Sequence, residues 1–187
     1  MQMEKTVYSG RPEDCAGRLP RELACYDFLD KLGISYLRVD HEPAFTIEAC
    51  HEVDALLGAE ICKNLFLCNR QQTDFYLLLL EGDKVFHTKD LSHQLGCSRL
   101  SFGSPEKMEE LLGVTPGSAT LLALVNDAEK RVRLLVDKPL LQKKKFGCHP
   151  CINTSSLLMD TSDVFEKILP ALGREYTLVD LPEDEEP

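Results

Sequence analysis

Three short segments of this chain place polar or backbone-exposing residues at the end of an apolar run, where a site can form on a rigid sheet. They are Lys63–Leu67 (KNLFL), Gly113–Ser118 (GVTPGS) and His149–Thr154 (HPCINT). None of them pairs a serine with a nearby histidine base, and none contains an HExxH motif or a phosphate-binding P-loop. If the protein is an enzyme, we expect it to supply a shaped pocket and one cation, and to leave the nucleophile to the substrate or to water.

Lys63 is the only charged residue in the first segment. A lysine that opens an apolar strand often does no more than keep its ammonium group in solvent. The alternative is a cation held at the rim of the sheet for a phosphate or a developing negative charge. The residues alone leave both interpretations open.

The second segment combines a helix stop with a turn. Pro116 and Gly117 suit the two central positions of a type II turn. Such a turn can be purely structural, but it also exposes backbone N–H and C=O groups. Gly117 would let a ligand approach the main chain closely.

His149 lies in a loop next to Pro150, a setting that favours a role in a pocket. The same loop contains a C-x-x-C motif, Cys148 and Cys151, which is also found in disulfide oxidoreductases. Those motifs normally follow an early strand and open a long helix, whereas a turn and a strand are predicted here. Thiol redox chemistry is therefore the weaker alternative, and we expect no metal and no cofactor.

The composition is typical of one soluble domain, with 187 residues and 43% hydrophobic content. The apolar runs are too short to span a bilayer, and the N-terminal residues lack the apolar core of a signal peptide. We expect a cytoplasmic protein with no membrane partner, and eight cysteines that are mostly buried or free thiols. The expected parts are an irregular segment over 1–18, one domain over 19–181 and an acidic tail over 182–187.

The net charge of −10 argues against nonspecific binding of polyanions. Much of the excess lies in the acidic tail, and the balance reverses between residues 130 and 145. Within that basic stretch, Lys143, Lys144 and Lys145 form a run that is either a solvated loop or a phosphate contact. Its closeness to the His149 segment favours a contact with the phosphates of a nucleic acid.

Hydrophobic periodicity, caps and breakers predict the elements that position these segments. Helices are predicted over 20–32, 46–57, 88–95, 104–112 and 161–172, the last capped by residues 161–163. Strands are predicted over 34–39, 61–68, 75–80, 121–125, 132–136, 155–159 and 176–181. Helices and strands do not alternate regularly, so we expect an α+β fold with a central mixed β-sheet flanked by helices.

Taken together and in this order, the three segments resemble the YbaK-like, prolyl-tRNA synthetase-associated editing domain family. The resemblance is strongest to its freestanding Ala-tRNA(Pro) deacylases. The segment His41–Glu48 (HEPAFTIE) also resembles the early pocket loop of that family. The resemblance implies a metal-free enzyme that hydrolyses the ester of a mischarged aminoacyl-tRNA. The implied partners are aminoacylated tRNA(Pro) and prolyl-tRNA synthetase.

The resemblance also implies roles for individual residues. Lys63 would meet the terminal phosphate or ribose, Gly117 would present backbone groups to the aminoacyl moiety, and His149 would shape the pocket. The implied substrate-binding residues are Phe45, Thr46, Ile47, Asn64, Ser118, Asn153 and Thr154. Two other function classes stay open, which are a noncatalytic tRNA- or synthetase-binding module of the same fold and a thiol redox protein.

Overall fold

The computed structural model describes residues 6–44 and 46–184. Its strands are β1 (Tyr8–Ser9), β2 (Leu37–Asp40), β3 (Lys63–Cys68), β4 (Phe75–Leu80), β5 (Ser101–Phe102), β6 (Val132–Asp137), β7 (Lys145–Cys148), β8 (Ser155–Asp160) and β9 (Tyr176–Val179). Its longer helices are α1 (Pro20–Lys31), α2 (Ile47–Leu57), α3 (Thr88–Leu95) and α4 (Pro105–Leu112). A C-terminal helix follows in three consecutive parts, Thr161–Asp163, the π-helical Val164–Ile168 and Leu169–Ala171.

The strands form two sheets rather than the single central sheet that the sequence predicts. The first sheet is antiparallel, in the order β1-β2-β8-β7. The second has the order β5-β3-β4-β6-β9 and is mixed, because β6 runs parallel to both of its neighbours. The predicted α+β class with a mixed sheet flanked by helices is confirmed.

The second sheet is buried on both faces, which explains the continuous apolar run of β4. Phe75, Leu77 and Leu79 enter the large core beneath α1, α4 and the C-terminal helix. Leu78 and Leu80 pack on the opposite side in a smaller cluster with residues of α3. A strand with two covered faces loses the alternation of polar and apolar residues.

Most predicted element boundaries agree with the structure because local caps set them. Thr46 caps α2 by accepting a hydrogen bond from the Ala49 amide, and Ser104 caps α4 through the Lys107 amide. Gly58 and Gly113 end these helices in the left-handed conformation.

Several predictions were wrong. The predicted strand over 121–125 is a 3-10 helix, Leu121–Asn126. A short apolar run has no periodicity that separates the two structures. The cap predicted at residues 161–163 is also wrong, because Asp160 is the N-cap and Thr161–Asp163 are already helical. The strand predicted from residue 34 starts at Leu37, and the N-terminal segment expected to be irregular contains β1.

The two sheets meet at a parallel bridge between Ile61 and Gly147. The Cys62 amide donates to the Gly147 carbonyl at 3.0 Å. A Cβ at Gly147 would lie 2.9 Å from Ile61 Cα, so a side chain there would push the sheets apart. The bridge lies two residues before Lys63 on one chain segment and two residues before His149 on the other. It therefore brings two of the predicted site segments together.

Among the described residues, no helix is long and apolar enough to cross a membrane.

Candidate active site

A cavity of about 650 Å³ opens between the start of α2, the exposed edge of β3, the turn after α4 and the loop after β7. The predicted site residues that line it are Thr46, Ile47, Lys63, Asn64, Gly117, His149 and Asn153. The structure thus brings together side chains from all three segments and from the early loop. Phe45 lies outside the described residues.

Lys63 brings a positive charge to this cavity. Its Nζ donates one hydrogen bond, at 2.6 Å, to the backbone carbonyl of Lys84. No carboxylate among the residues that the structure describes forms an ion pair with it. An ammonium group has three donor hydrogens, so two remain for a ligand. The uncompensated charge would attract a phosphate or a developing oxyanion.

The edge of β3 presents main-chain groups to the same space. β5 pairs only with Leu67 and Cys68, and the Gly103 amide donates to the Phe66 carbonyl beyond them. Backbone groups two residues apart in a strand point the same way, so the N–H and C=O of Asn64 also point away from β4, towards the cavity. This open edge can hydrogen-bond an amide-like or ester group.

The Asn64 side chain adds an acceptor. Its Nδ2 donates to Cys62 Sγ at 3.3 Å, while Oδ1 is buried and has no hydrogen-bond partner among the described residues. An unpaired buried acceptor costs free energy unless a ligand supplies a donor.

Gly117 occupies the third position of a turn closed by the Ser118 amide and the Thr115 carbonyl, at 3.0 Å. Its φ of +87° confirms the predicted type II turn. A Cβ at Gly117 would lie 3.5 Å from Asn153 Nδ2. The turn therefore lies against the loop that carries His149 and exposes its backbone to the cavity.

His149 is held by its Nδ1, which lies 2.9 Å from the Ser155 carbonyl. A carbonyl only accepts, so Nδ1 carries the hydrogen and Nε2 has the free lone pair. Nε2 has no hydrogen-bond partner within the described part of the chain. Burial lowers the pKa of His149, and the nearby His41 lowers it further. The ring is thus neutral at pH 7, with an acceptor nitrogen at the cavity.

His41 and Ser156 are cavity residues that the predicted site did not include. Ser156 Oγ lies 2.8 Å from His41 Nε2 and 3.3 Å from His149 Nδ1, so it links the two imidazoles. The His41 Nδ1 is 2.7 Å from the Glu42 carbonyl. The position of His41 at the start of the early pocket loop could have indicated that it belongs to the site. No local sequence feature indicates this for Ser156.

The thiols at the cavity are poorly suited to act as nucleophiles. Burial raises the pKa of Cys62 to about 12 and also raises that of Cys50. A thiol whose pKa lies well above 7 stays protonated at pH 7, and the thiolate is the reactive form.

Two further predicted residues lie outside the cavity lining. Ser118 is buried beside the turn, where its amide closes the hydrogen bond to Thr115. Thr154 is exposed, and its carbonyl accepts a hydrogen bond from the His41 amide. Both lie next to residues that do line the cavity.

The C-x-x-C motif is buried. Cys148 and Cys151 are 0% and 2% exposed, and Cys151 Sγ lies 3.3 Å from Cys25 Sγ in α1. Burial raises the pKa of Cys148 well above its usual value. Both features disfavour the redox alternative, because a reactive thiol needs access and thiolate character.

The lysine run is not a uniform surface. Lys143 Nζ contacts Glu60 at 2.9 Å and Glu81 at 3.1 Å, and Lys145 opens β7 and pairs with Asp160. Lys144 is exposed and has no ion-pair partner among the described residues.

The resemblance implies a tRNA contact at this lysine run, and these pairings predict that the three lysines would contribute unequally to it. We expect Lys144→Gln to reduce the slope of log K against log salt by roughly one, the effect of losing one phosphate contact. Lys143→Gln should change the slope less, because carboxylates already neutralise that ammonium group. Binding titrations between 50 and 200 mM salt measure this. A slope that is unchanged in the triple Gln variant would show that the run is only solvated surface.

Comparison with known proteins gives this cavity a family context. Residues 41–167 match the family model described as the aminoacyl-tRNA editing domain. The chain is 30% identical over 153 residues to the "Prolyl-tRNA editing protein ProX" of Acetoanaerobium sticklandii, covering 82% of this chain and 93% of that protein. It is also 30% identical over 168 residues to the Xenopus laevis "Prolyl-tRNA synthetase associated domain-containing protein 1", covering 88% and 98%.

A solved structure, described as a "putative trans-editing enzyme for prolyl tRNA synthetase", shares the fold. It superposes with a TM-score of 0.64 at 19% identity and covers 89% of this chain and 99% of that one. The matched region 41–167 contains all of the cavity segments, from His41 to Ser156. This chain therefore belongs to the aminoacyl-tRNA editing domain family.

Proposed function

We propose that this protein is a trans-editing hydrolase that deacylates mischarged aminoacyl-tRNA, with Ala-tRNA(Pro) as its substrate. One observation carries the proposal. Three segments distant in sequence converge on one cavity, which has an ammonium group in no ion pair with any described residue, open backbone groups and a neutral imidazole, while its thiols stay protonated. Such a site can place and polarise an ester that is already activated, without a nucleophile of its own.

The hydrolysis would proceed by attack of water on the ester carbonyl carbon, with the neighbouring ribose hydroxyl hydrogen-bonding to that water and orienting it. Lys63 would hold the terminal phosphate or ribose and stabilise negative charge as it develops. Asn64 Oδ1 would accept a hydrogen bond from the α-ammonium group of the amino acid. His149 Nε2 would accept a hydrogen bond from the attacking group. The bond to the ribose oxygen then breaks, the ribose takes up a proton and the free amino acid leaves.

The remaining proposed contacts surround the aminoacyl group. The Gly117 turn and Asn153 would bound it on one side, and Thr46 and Ile47 at the start of α2 on the other. Ser118 and Thr154 would act through the loops they hold, and Lys144 would reach the tRNA backbone. The partner is tRNA(Pro), with prolyl-tRNA synthetase as the source of the mischarged product.

An editing role requires that the site prefer alanine to proline. A synthetase pocket rejects a smaller apolar side chain by only about 1–3 kcal/mol, so a second site must remove the error. We expect kcat/KM for Ala-tRNA(Pro) to exceed that for Pro-tRNA(Pro) by at least about 100-fold. Deacylation of the two substrates by the same preparation measures the ratio.

The same assay separates the proposal from the noncatalytic alternative. Binding of tRNA(Pro) with no release of alanine above the spontaneous rate would support a binding module of the same fold. A ratio near one would remove the proofreading assignment, even if the protein hydrolysed both esters.

A further inference from the structure

Phe102 is an exposed aromatic side chain at the edge of the cavity. It is 61% exposed and belongs to the cavity lining, yet it lies in none of the three site segments. A single exposed apolar residue needs no explanation by itself. Phe102 is different, because it lies beside the proposed aminoacyl-tRNA site and its backbone is held rigidly.

The backbone beneath Phe102 is held firmly. Phe102 pairs with Leu67 of β3, and the next amide, Gly103, donates to the Phe66 carbonyl at 2.9 Å. A Cβ at Gly103 would lie 2.5 Å from the Phe66 ring, so the chain lies directly on that ring. These contacts therefore fix the position of the Phe102 backbone.

The ring itself has support on one side. Phe86 contacts it edge-on, with ring centroids 6.3 Å apart and an interplanar angle of 78°. An edge-on neighbour steadies an aromatic ring without stacking on it. Because the side chain remains mostly exposed, the ring offers apolar surface to a ligand.

Lys63 and Phe102 lie on the same face of the second sheet. Side chains alternate along a strand, so Lys63 and Leu67 point to one side, and Phe102 is the direct partner of Leu67. Lys63 and Leu67 are four positions apart along the strand, which is about 13 Å. That span suits a ligand with a charged or ester end near Lys63 and a planar end near Phe102.

We propose that Phe102 stacks against the unpaired 3′-terminal nucleobase of the aminoacyl-tRNA. The inference rests on the proposed function, because the aminoacyl ester is attached to the ribose of that same nucleotide. Every base has a π-face, and aromatic side chains are common platforms for single-stranded nucleic acid. Stacking at Phe102 would hold the ribose so that the ester carbonyl lies near Lys63.

The test compares substrates with and without the base. We would measure kcat/KM for alanyl-adenosine and for a simple alanine alkyl ester with Phe102→Leu, Phe102→Tyr and the wild type. The expected result is that Phe102→Leu lowers the ratio of the two values about tenfold, mainly through KM for alanyl-adenosine. Phe102→Tyr keeps the ratio, because it keeps the ring. Tyr176→Leu, at an exposed aromatic residue of the far edge strand β9, is the matched control.

A second readout does not depend on turnover. A tRNA minihelix with 2-aminopurine as its terminal base and a non-hydrolysable amide linkage reports stacking by loss of fluorescence. Quenching by the wild type and Phe102→Tyr, but not by Phe102→Leu, supports the proposal.

Two outcomes overturn the inference. Equal ratios for all variants would show that Phe102 does not recognise the base. An equal loss on both esters would show that Phe102 only shapes the cavity. Failure of the wild type to deacylate any substrate would instead remove the proposed function, and quenching of 2-aminopurine at Phe102 would still be measurable.

Discussion

Replacing Lys63 by alanine should lower kcat/KM for Ala-tRNA(Pro) deacylation by about 100-fold, the effect of removing one well-placed electrostatic group. The Lys63 ammonium lines the cavity, and it donates a hydrogen bond to a neutral acceptor, the Lys84 carbonyl. Its charge is therefore available to the substrate. Steady-state deacylation kinetics measure the loss.

The division of that loss between kcat and KM tells what Lys63 contacts. A change in KM alone would indicate contact with a phosphate in the ground state, and a change in kcat would indicate stabilisation of the developing oxyanion. Lys31→Ala, at an exposed lysine in the last turn of α1, is the matched control for loss of one positive charge. Full activity in a folded Lys63→Ala protein would remove Lys63 from the mechanism.

A second large effect is expected away from the cavity, at a buried ion pair. Lys84 Nζ lies 2.7 Å from Asp137 Oδ2, and the two side chains are 4% and 0% exposed. Asp137 Oδ1 also accepts the Leu181 amide at 2.9 Å, so this carboxylate ties β6 to the C-terminal segment. The carbonyl of the same Lys84 holds Lys63, so the pair also supports the cavity.

Asp137→Asn should therefore lower the free energy of unfolding by about 3–5 kcal/mol, because it leaves a buried ammonium group without a counter-charge. Urea unfolding at equilibrium measures this. Asp180→Asn is the matched control, since Asp180 pairs with Lys138 at 3.5 Å with both side chains more than half exposed. The Asp180→Asn substitution should change the free energy of unfolding by no more than about 1 kcal/mol.

A double variant distinguishes the unpaired charge from simple loss of packing. Adding Lys84→Met to Asp137→Asn removes the buried charge and should recover much of the lost stability. If the Asp137→Asn protein had the same urea midpoint as the wild type, the Lys84–Asp137 ion pair would not stabilise the fold. A double variant no more stable than the single one would show that the hydrogen bond to Leu181 matters more than the charge.

The sequence by itself determined the elements whose ends are set locally. Thr46, Ser104 and Gly113 mark the ends of α2 and α4 through caps made by neighbouring amides and a left-handed glycine. The type II turn at Gly117 follows from its own residues in the same way. The order of the three site segments was also enough to identify the family.

The tertiary structure decided what depends on distant partners. The segment Leu121–Asn126 is apolar over its first five residues and therefore shows no hydrophobic periodicity that would distinguish a strand from a helix. Its 3-10 form is compatible with the turn that follows, where Asp127 accepts the Arg131 and Val132 amides and pairs with Arg174. Neither residue pattern nor propensity indicates such a partner 47 residues away.

The same reason applies to the candidate site. Ile61 and Gly147 meet because Gly147 has no side chain to hold them apart, and that contact brings Lys63 near His149. Lys143 looks identical to Lys144 in the sequence, but only Lys143 lies against the carboxylates of Glu60 and Glu81. Charge, exposure and proximity at these residues come from chain segments far apart in sequence, and only the folded chain brings those segments into contact.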